Sequence, residues 1–419
     1  LYLPSAFVTE GILASDGPGY QALIFLKNMA IGDETLSKIK EFDRSGLPVI
    51  FVGPQEHISS QVRKHKSPAA FDGLLKQGKN IHHVNSTSQL PDLLSHLGVK
   101  PRVYFAEPTD SVYSVQRADF TTGTEYTWFY NNGNASSSFI AEFSVPKDMK
   151  PFLLNAWNGE IIPLATYQLT SSGIRLSLTL NPDETIILAF AASETENTWV
   201  TDITGSVEEV KYTCDEQIMV NLKGPSKVVL SNGNIHNLNA TVPSAANLST
   251  WDIEIEDWHG DPDNTSSIET LITLHKFQGQ PLKSWKDLSK ILENVSGVGT
   301  YTTSFKVPDV PGIGAYLSVG PIFNTMRVWV NGNLLPSYPA DNAKIDISDF
   351  ISRGKENAIK IEVTTTLYNR LRADADSLLT IGMPLSMMAP TFADGERQNY
   401  GVLGPVTIDW VIGKKLDLE

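Results

Sequence analysis

The sequence predicts a multidomain chain in which one α/β domain precedes two all-β domains. Three observations carry this. The 419 residues exceed what one hydrophobic core organises, at about 150 residues per domain. Apolar runs alternate with helical patterns up to residue 98, and period-two strand patterns follow from residue 102. The charge changes at the same place. Residues 1–98 hold nine basic and nine acidic side chains, while the rest hold 24 and 38, which is the whole net charge of −14.

The first elements come from buried runs and caps. Residues 22–26 (ALIFL) and 48–53 (PVIFVG) read as buried strands, and 81–84 as a third short one. Asp33 stands where it can cap a helix whose Leu36, Ile39 and Phe42 share one face. Ser67 and Pro68 give an N-cap and a proline at the first helical position, opening a helix with Phe71, Leu74 and Leu75 inward. A last helix over 88–97 is closed by Gly98 beyond its C-cap. Strand, helix, strand means a parallel sheet with crossovers, a flavodoxin-like arrangement. Such a sheet ordinarily needs about four or five strands. The expectation is therefore a truncated flavodoxin-like domain that began upstream of Leu1; the alternative is a small three-stranded unit docked on its neighbours.

Residues 102–106, 111–117, 125–131, 137–144, 173–180 and 185–191 suit strands, with turns at Asn132-Gly133, Asn158-Gly159 and Asn181-Pro182. Many short strands at this spacing indicate a β-sandwich. Residues 200–247 continue as short strands that complete the sandwich or form a linker module. From Leu248, Trp251, Ile253 and Ile255 alternate with Asp252, Glu254 and Glu256. Met326, Val328 and Val330 alternate with Arg327 and Trp329 ahead of an Asn331-Gly332 hairpin turn. Ile359, Ile361 and Val363 again share a face, and the size of this segment suits a C-terminal jelly roll. The expected domains are 1–98, 99–247 and 248–419.

Several function classes fall away. A surface this acidic repels phosphate backbones, so no nucleic-acid partner is expected. The longest apolar run, 186–192, is far below the ~20 residues that span a bilayer, so no membrane partner is expected either. The single cysteine, Cys214, excludes an internal disulfide framework and a cysteine-based zinc site, and it reads as a buried structural thiol. It also lies outside the α/β domain, which leaves that domain without a nucleophilic thiol. Gly73 to Gly78-Lys79 nearly matches a phosphate-binding loop, but Asn80 replaces the Ser or Thr and no strand precedes it. His82 and His83 are adjacent on a strand and face opposite ways.

No catalytic residue emerges. The acid pairs Asp374/Asp376 and Asp261/Asp263 read as solvated loops, and no eightfold strand–helix repeat forms a barrel to hold such a pair. Asp261 and Asp263 also bring oxygen ligands close enough together for calcium; no other cofactor is expected. Six N-glycosylation sequons, at Asn85, Asn134, Asn239, Asn247, Asn264 and Asn294, lean toward a secreted, extracellular glycoprotein.

These residues carry a resemblance. Residues 19–25 (GYQALIF), 33–36 (DETL) and 46–53 (GLPVIFVG) resemble the amidotransferase-like domain inside some large glycoside hydrolases. Gln116-Arg117 stands where those proteins often have His-Arg, a departure at the first position, and 126–132 (YTWFYNN) looks like their sandwich strand. Residues 284–288 (SWKDL), 296–301 (SGVGTY), 327–332 (RVWVNG), 369–371 (NRL) and 401–406 (GVLGPV) resemble, in this order, the galactose-binding-like jelly roll of family 2 type glycosidases. The whole order looks like the C-terminal half of the α-L-rhamnosidases of glycoside hydrolase family 106. In that family the catalytic carboxylates and calcium belong to an N-terminal barrel, and no position here matches it. The resemblance thus implies an accessory region, partnered by a missing N-terminal catalytic domain of the same polypeptide.

Sugars bind to aromatic faces and planar polar groups. Arg327 and Trp329 share one strand face and form a candidate platform; the alternative is that this face packs on the second sheet or a neighbour. Trp258, beside His259-Gly260 and the acidic loop, is an aromatic expected to be exposed. Asn369-Arg370, at an expected strand end, either reaches a ligand or another domain, or caps local carbonyls. Trp285 and Tyr301 are expected in the core. Two readings follow: the accessory region of a secreted rhamnosidase-like hydrolase acting on plant polysaccharides or glycosides, or a non-catalytic carbohydrate-binding or scaffolding protein.

Overall fold

The computed structural model describes residues 5–17, 19–26, 31–54, 68–107, 109–193, 197–261, 263, 269–339, 343–375 and 395–417. The chain divides into two compact units, Leu1–Arg102 and Val103–Glu419.

The first unit is built on three parallel strands, Leu23–Phe25, Val49–Val52 and Ile81–Val84, paired in that order. The middle strand is buried on both faces, which is why its sequence is apolar without alternation. Val49 and Phe51 pack with Leu36, Ile39 and Phe42 of the helix Asp33–Arg44 and with Leu74 of the helix Pro68–Gln77. Ile50 and Val52 face the other way, against Leu90, Leu93, Leu94 and Leu97 around the helix Leu90–His96. Gly98 takes φ +74° just beyond that helix, closing it as its sequence position implied. The first helix departs from expectation: Gly32 is its N-cap, and Asp33 is already helical. The glycine-rich run is no phosphate loop, because Gly73 lies inside a helix. The expected N-cap Ser67 lies outside the described residues, as does the side chain of Phe71.

The second unit begins with a sandwich. One sheet orders Ile161–Pro163, Met149–Leu154, Thr185–Ala192, Thr124–Asn131 and Val112–Asp119; the other orders Gln168–Leu169, Ile174–Leu180, Ser137–Phe143 and Val103–Phe105. Phe129, Phe139, Phe143 and Phe190 fill the space between them, with Phe143 and Phe190 rings 4.6 Å apart.

Residues 200–247 join both neighbours. Val200 exchanges backbone hydrogen bonds with Ala165 and Tyr167 of the sandwich. The long hairpin Val200–Tyr212 and Ile218–Leu230 then pairs through its second strand with Val406–Lys415 of the C-terminal sheet. At its tip Cys214 is exposed, in a turn closed by Thr213 and Gln217. This corrects the expectation of a buried thiol: the strand pattern breaks at 213, and the short polar run Thr213–Gln217 is a turn.

The C-terminal part is a jelly roll of two facing antiparallel sheets. The seven-stranded sheet holds that hairpin, Val406–Lys415, Ile313–Val319, Ala343–Asp346 and two short strands. The six-stranded sheet orders Leu271–Gln280, Trp251–His259, Gly297–Lys306, Glu356–Thr364, Thr325–Val330 and Asn333–Leu334. Ile253, Ile255, Tyr301, Ile361 and Val328 from the second meet Leu317, Ile408 and Trp410 from the first in one core. The hairpin turn at Asn331 and Gly332 puts both residues at positive φ, 51° and 81°, the geometry that Asn-Gly suits.

The hairpin is tied to the C-terminal sheet by charge. Glu208 accepts hydrogen bonds from Lys223 at 2.5 Å and from Lys344. Burial alone would raise the Glu208 carboxyl, but the two lysines outweigh it and hold it below its ordinary value of 4.5. A depressed carboxylate stabilises the fold above its unfolded pKa, and that contribution is lost as pH falls through the folded value. On acidification below pH 4.5, the native protein is therefore expected to lose stability more steeply than Glu208→Gln. Urea unfolding midpoints from about pH 6 to 3 measure this; parallel slopes would show that the carboxylate contributes nothing.

Candidate functional site

The candidates on the six-stranded sheet lie on its outer, solvent-facing side, because their neighbours Val328 and Val330 point into the core. Arg327 has a side chain 70 % exposed and sits 3.5 Å from Glu362. Trp329 is half-buried, and Lys360 Nζ lies 3.5 Å from its ring centroid, covering one face. Trp258 is 37 % exposed, donates from Nε1 to Glu256 at 3.0 Å, and lies beside exposed Ile272 on the next strand. Strand register puts Trp329 level with Asp252, three strands from Trp258 and six residues short of it. The two rings are thus about 25 Å apart by strand spacing and rise, and they form no common platform.

Asn369 and Arg370 do not end a strand. They lie in the short helix Tyr368–Ala373, after the strand Glu356–Thr364 has ended. Asn369 is 2 % exposed and clamps residue 398: its Nδ2 donates to Gln398 O at 3.0 Å, and Gln398 N donates to its Oδ1 at 2.9 Å. Arg370 Nη2 donates to the buried Asp257 at 2.5 Å, and its main-chain N to Ser296 Oγ at 3.3 Å. Both are therefore positioning residues.

What they position is a cleft. Lys286 and Asp287 from the helix Trp285–Leu288, Lys290, Glu293, Arg372 and the segment 395–397 line a hollow of about 780 Å³. A second hollow of about 530 Å³ shares Glu396 and Arg397 with it and adds Phe323, Gln398 and Asn399. Phe323 is 53 % exposed, edge-on to the buried Tyr400.

Buried tyrosines and a tryptophan carry these walls. Trp285 Nε1 donates to Tyr301 Oη at 2.7 Å, and Trp285 N donates to Tyr400 O at 3.0 Å. Burial, against the hydrogen bonds from Trp285 and Val402, pushes the Tyr301 hydroxyl up to about 12, so it stays neutral. Each cleft arginine is anchored at Nε: Arg372 to Gly395 O at 2.5 Å, and Arg397 to Asn294 Oδ1 at 2.9 Å. Arg397 Nη1 also pairs with Glu293 at 3.2 Å, and Lys286 Nζ donates to Arg397 O at 3.1 Å.

The cleft suits binding better than proton transfer. Asp287 and Glu396 are exposed and Glu293 is paired, so among the described residues no cleft carboxyl has the apolar enclosure of a general acid. At the calcium candidate, Asp263 N donates to Asp261 Oδ1 at 2.9 Å. Among the described residues no three His, Cys, Asp or Glu side chains gather as a metal site. Asn85, Asn134, Asn239 and Asn247 are exposed, Asn294 is half-buried at the cleft, and Asn264 lies outside the described residues. Sequence reasoning missed the cleft because its walls come from segments up to 111 positions apart. Charged residues flanking buried aromatics, as in Trp285-Lys286-Asp287, were its one local sign.

No protein-family model matches the sequence, and no curated protein does. Among solved structures, a rhamnosidase from Novosphingobium sp. PP1Y is similar over 98 % of this chain, with TM-score 0.59 and 18 % identity. This chain covers 35 % of that one, so it spans about a third of its length. The likeness is one of fold. A β-D-glucuronidase from Dictyoglomus thermophilum matches 40 % of this chain and 28 % of its own, with TM-score 0.25 and 21 % identity. A β-glucuronidase from Faecalibacterium prausnitzii matches 42 % and 33 %, with TM-score 0.25 and 13 % identity. No catalytic barrel is present among the described residues.

Asn369→Ala should lower the stability of the C-terminal unit by about 2 kcal/mol, since it strands the N–H and C=O of Gln398. Arg327→Ala, at an exposed single ion pair, should stay within about 0.5 kcal/mol. Scanning calorimetry of both variants measures the contrast; equal effects would contradict the clamp.

Proposed function

We propose that this chain is the accessory, non-catalytic region of a secreted glycoside hydrolase of the α-L-rhamnosidase type, acting on plant polysaccharides or glycosides. Its catalytic barrel lies in a part of the polypeptide outside these 419 residues, and its own partner is carbohydrate. One observation carries the reading: the fold follows that of a rhamnosidase along 98 % of this chain while covering 35 % of the other. The cleft agrees with it, since charged planar groups beside one exposed aromatic suit sugar hydroxyls and a sugar face. Four exposed sequon asparagines fit a secreted glycoprotein. The exposed Trp258 favours a second reading, a free-standing carbohydrate-binding protein.

The 1–419 chain is expected to release no nitrophenol from a nitrophenyl α-L-rhamnoside above the buffer blank. Turnover by this chain, retained after rigorous purification, would overturn the accessory reading.

A further inference from the structure

The cleft holds charges that do not neutralise one another. The chain as a whole is strongly acidic, yet Lys286, Lys290, Arg372 and Arg397 converge here beside Asp287, Glu293 and Glu396. Of the four cations, only Arg397 has a carboxylate partner among the described residues, Glu293. Lys286 and Arg372 bond neutral carbonyls, and neither has a carboxylate partner among the described residues. Lys290 is exposed and has no hydrogen-bond or ion-pair partner among the described residues, nor do the carboxylates of Asp287 and Glu396. Elsewhere on this jelly roll some cations are matched by carboxylates: Lys276 pairs with Glu254, Arg327 with Glu362 and Lys344 with Glu208.

The arrangement of Arg372 is specific. Its Nε is spent on Gly395 O, which fixes the plane of the guanidinium, and both terminal nitrogens have no partner among the described residues. A planar fork held in this way matches a carboxylate, which it binds through two parallel hydrogen bonds. The free carboxylates of Asp287 and Glu396 accept from hydroxyl groups. Phe323, reached through the shared Glu396 and Arg397, offers a face for the C–H side of a ring. A ligand that satisfies all three sets is at once anionic, hydroxylated and partly apolar on one face.

We infer that this cleft binds an acidic, uronate-bearing oligosaccharide, with the sugar carboxylate on Arg372 and Lys290 and the ring hydroxyls on Asp287 and Glu396. The inference rests on the carbohydrate reading above and narrows it. A neutral sugar would meet the acceptors but leave the uncompensated cations unmatched.

The test is calorimetric titration of the intact chain with an α-1,4-linked trigalacturonate and with the same trisaccharide fully methyl-esterified. The ester keeps the other hydroxyls and the ring faces and removes only the charge. The free acid should bind at least about tenfold tighter, and its affinity should fall several-fold between about 50 and 500 mM salt. Lys290→Ala removes an exposed, unpartnered charge, so the fold is kept; it should weaken the acid about threefold or more and leave the ester unchanged. Arg372→Lys keeps the charge without the fork and should cost the acid about tenfold. Equal affinity for acid and ester would overturn the uronate assignment while leaving a sugar cleft. Binding of neither would overturn the inference, as would acid binding unaffected by both substitutions. Rhamnoside turnover by the chain would sink the accessory reading without touching these affinities, so the two failures are distinguishable.

Discussion

The buried hydrogen bond from Trp285 to Tyr301 organises the C-terminal unit. An indole N–H in a dry core must find an acceptor, and the Tyr301 hydroxyl supplies one at 2.7 Å while also accepting the N–H of Val402. Three separate stretches therefore meet at one oxygen: the short helix that carries Lys286 and Asp287, a central strand of the six-stranded sheet, and the segment after Tyr400. Gly401 makes the meeting possible. It takes φ +100°, and a Cβ there would sit 2.4 Å from Tyr301 Oη and 2.6 Å from Trp285 Nε1. Any side chain at 401 would push apart the groups that set the cleft walls.

From this node the order passes outward through amides and charges. Tyr400 fixes Trp285 by its carbonyl and Gln398 by its hydroxyl, Asn369 clamps the backbone of 398, and Arg370 draws the same helix onto Asp257. Arg372 follows on that helix and is locked to Gly395. The buried end of this chain of contacts is apolar and rigid, and the exposed end is charged and open. Of the side chains a ligand would meet, Arg372 is already held and so spends little ordering entropy on binding.

Much of the fold was legible because its periodicities are clean. The alternation of Trp251, Ile253 and Ile255 with acids gave the inner and outer faces of a strand directly, and the unbroken apolar run Val49–Val52 marked a strand covered on both sides. Asn331-Gly332 declared its turn through the φ it requires. Other features were not local properties. Cys214 looked buried because its neighbours alternate, but the five-residue turn at 213–217 lifts it out of the sheet. Asn369 and Arg370 were visible as polar residues after a strand. Whether they face a ligand or the protein depended on Gln398 and Asp257, 29 and 113 positions away. The cleft was illegible for the same reason: ordinary surface charges become a site only when the fold brings three segments to one rim.

The contrast between the outer sheet face and the cleft decides where a ligand is best served. On the sheet, Glu362 answers Arg327, Glu254 answers Lys276, and Lys360 occupies the face of Trp329. A sugar arriving there must displace contacts that already satisfy these groups, and exchanging one solvated pair for another yields little. In the cleft Lys290, Asp287 and Glu396 are exposed and, like the terminal nitrogens of Arg372, have no partner among the described residues, so a ligand exchanges water for directed, charge-assisted bonds. The pattern RVWVNG caught the eye because an aromatic and an arginine alternate on one face. Yet alternation on a strand measures only which side a residue faces, while recognition depends on whether its partner is already in the protein.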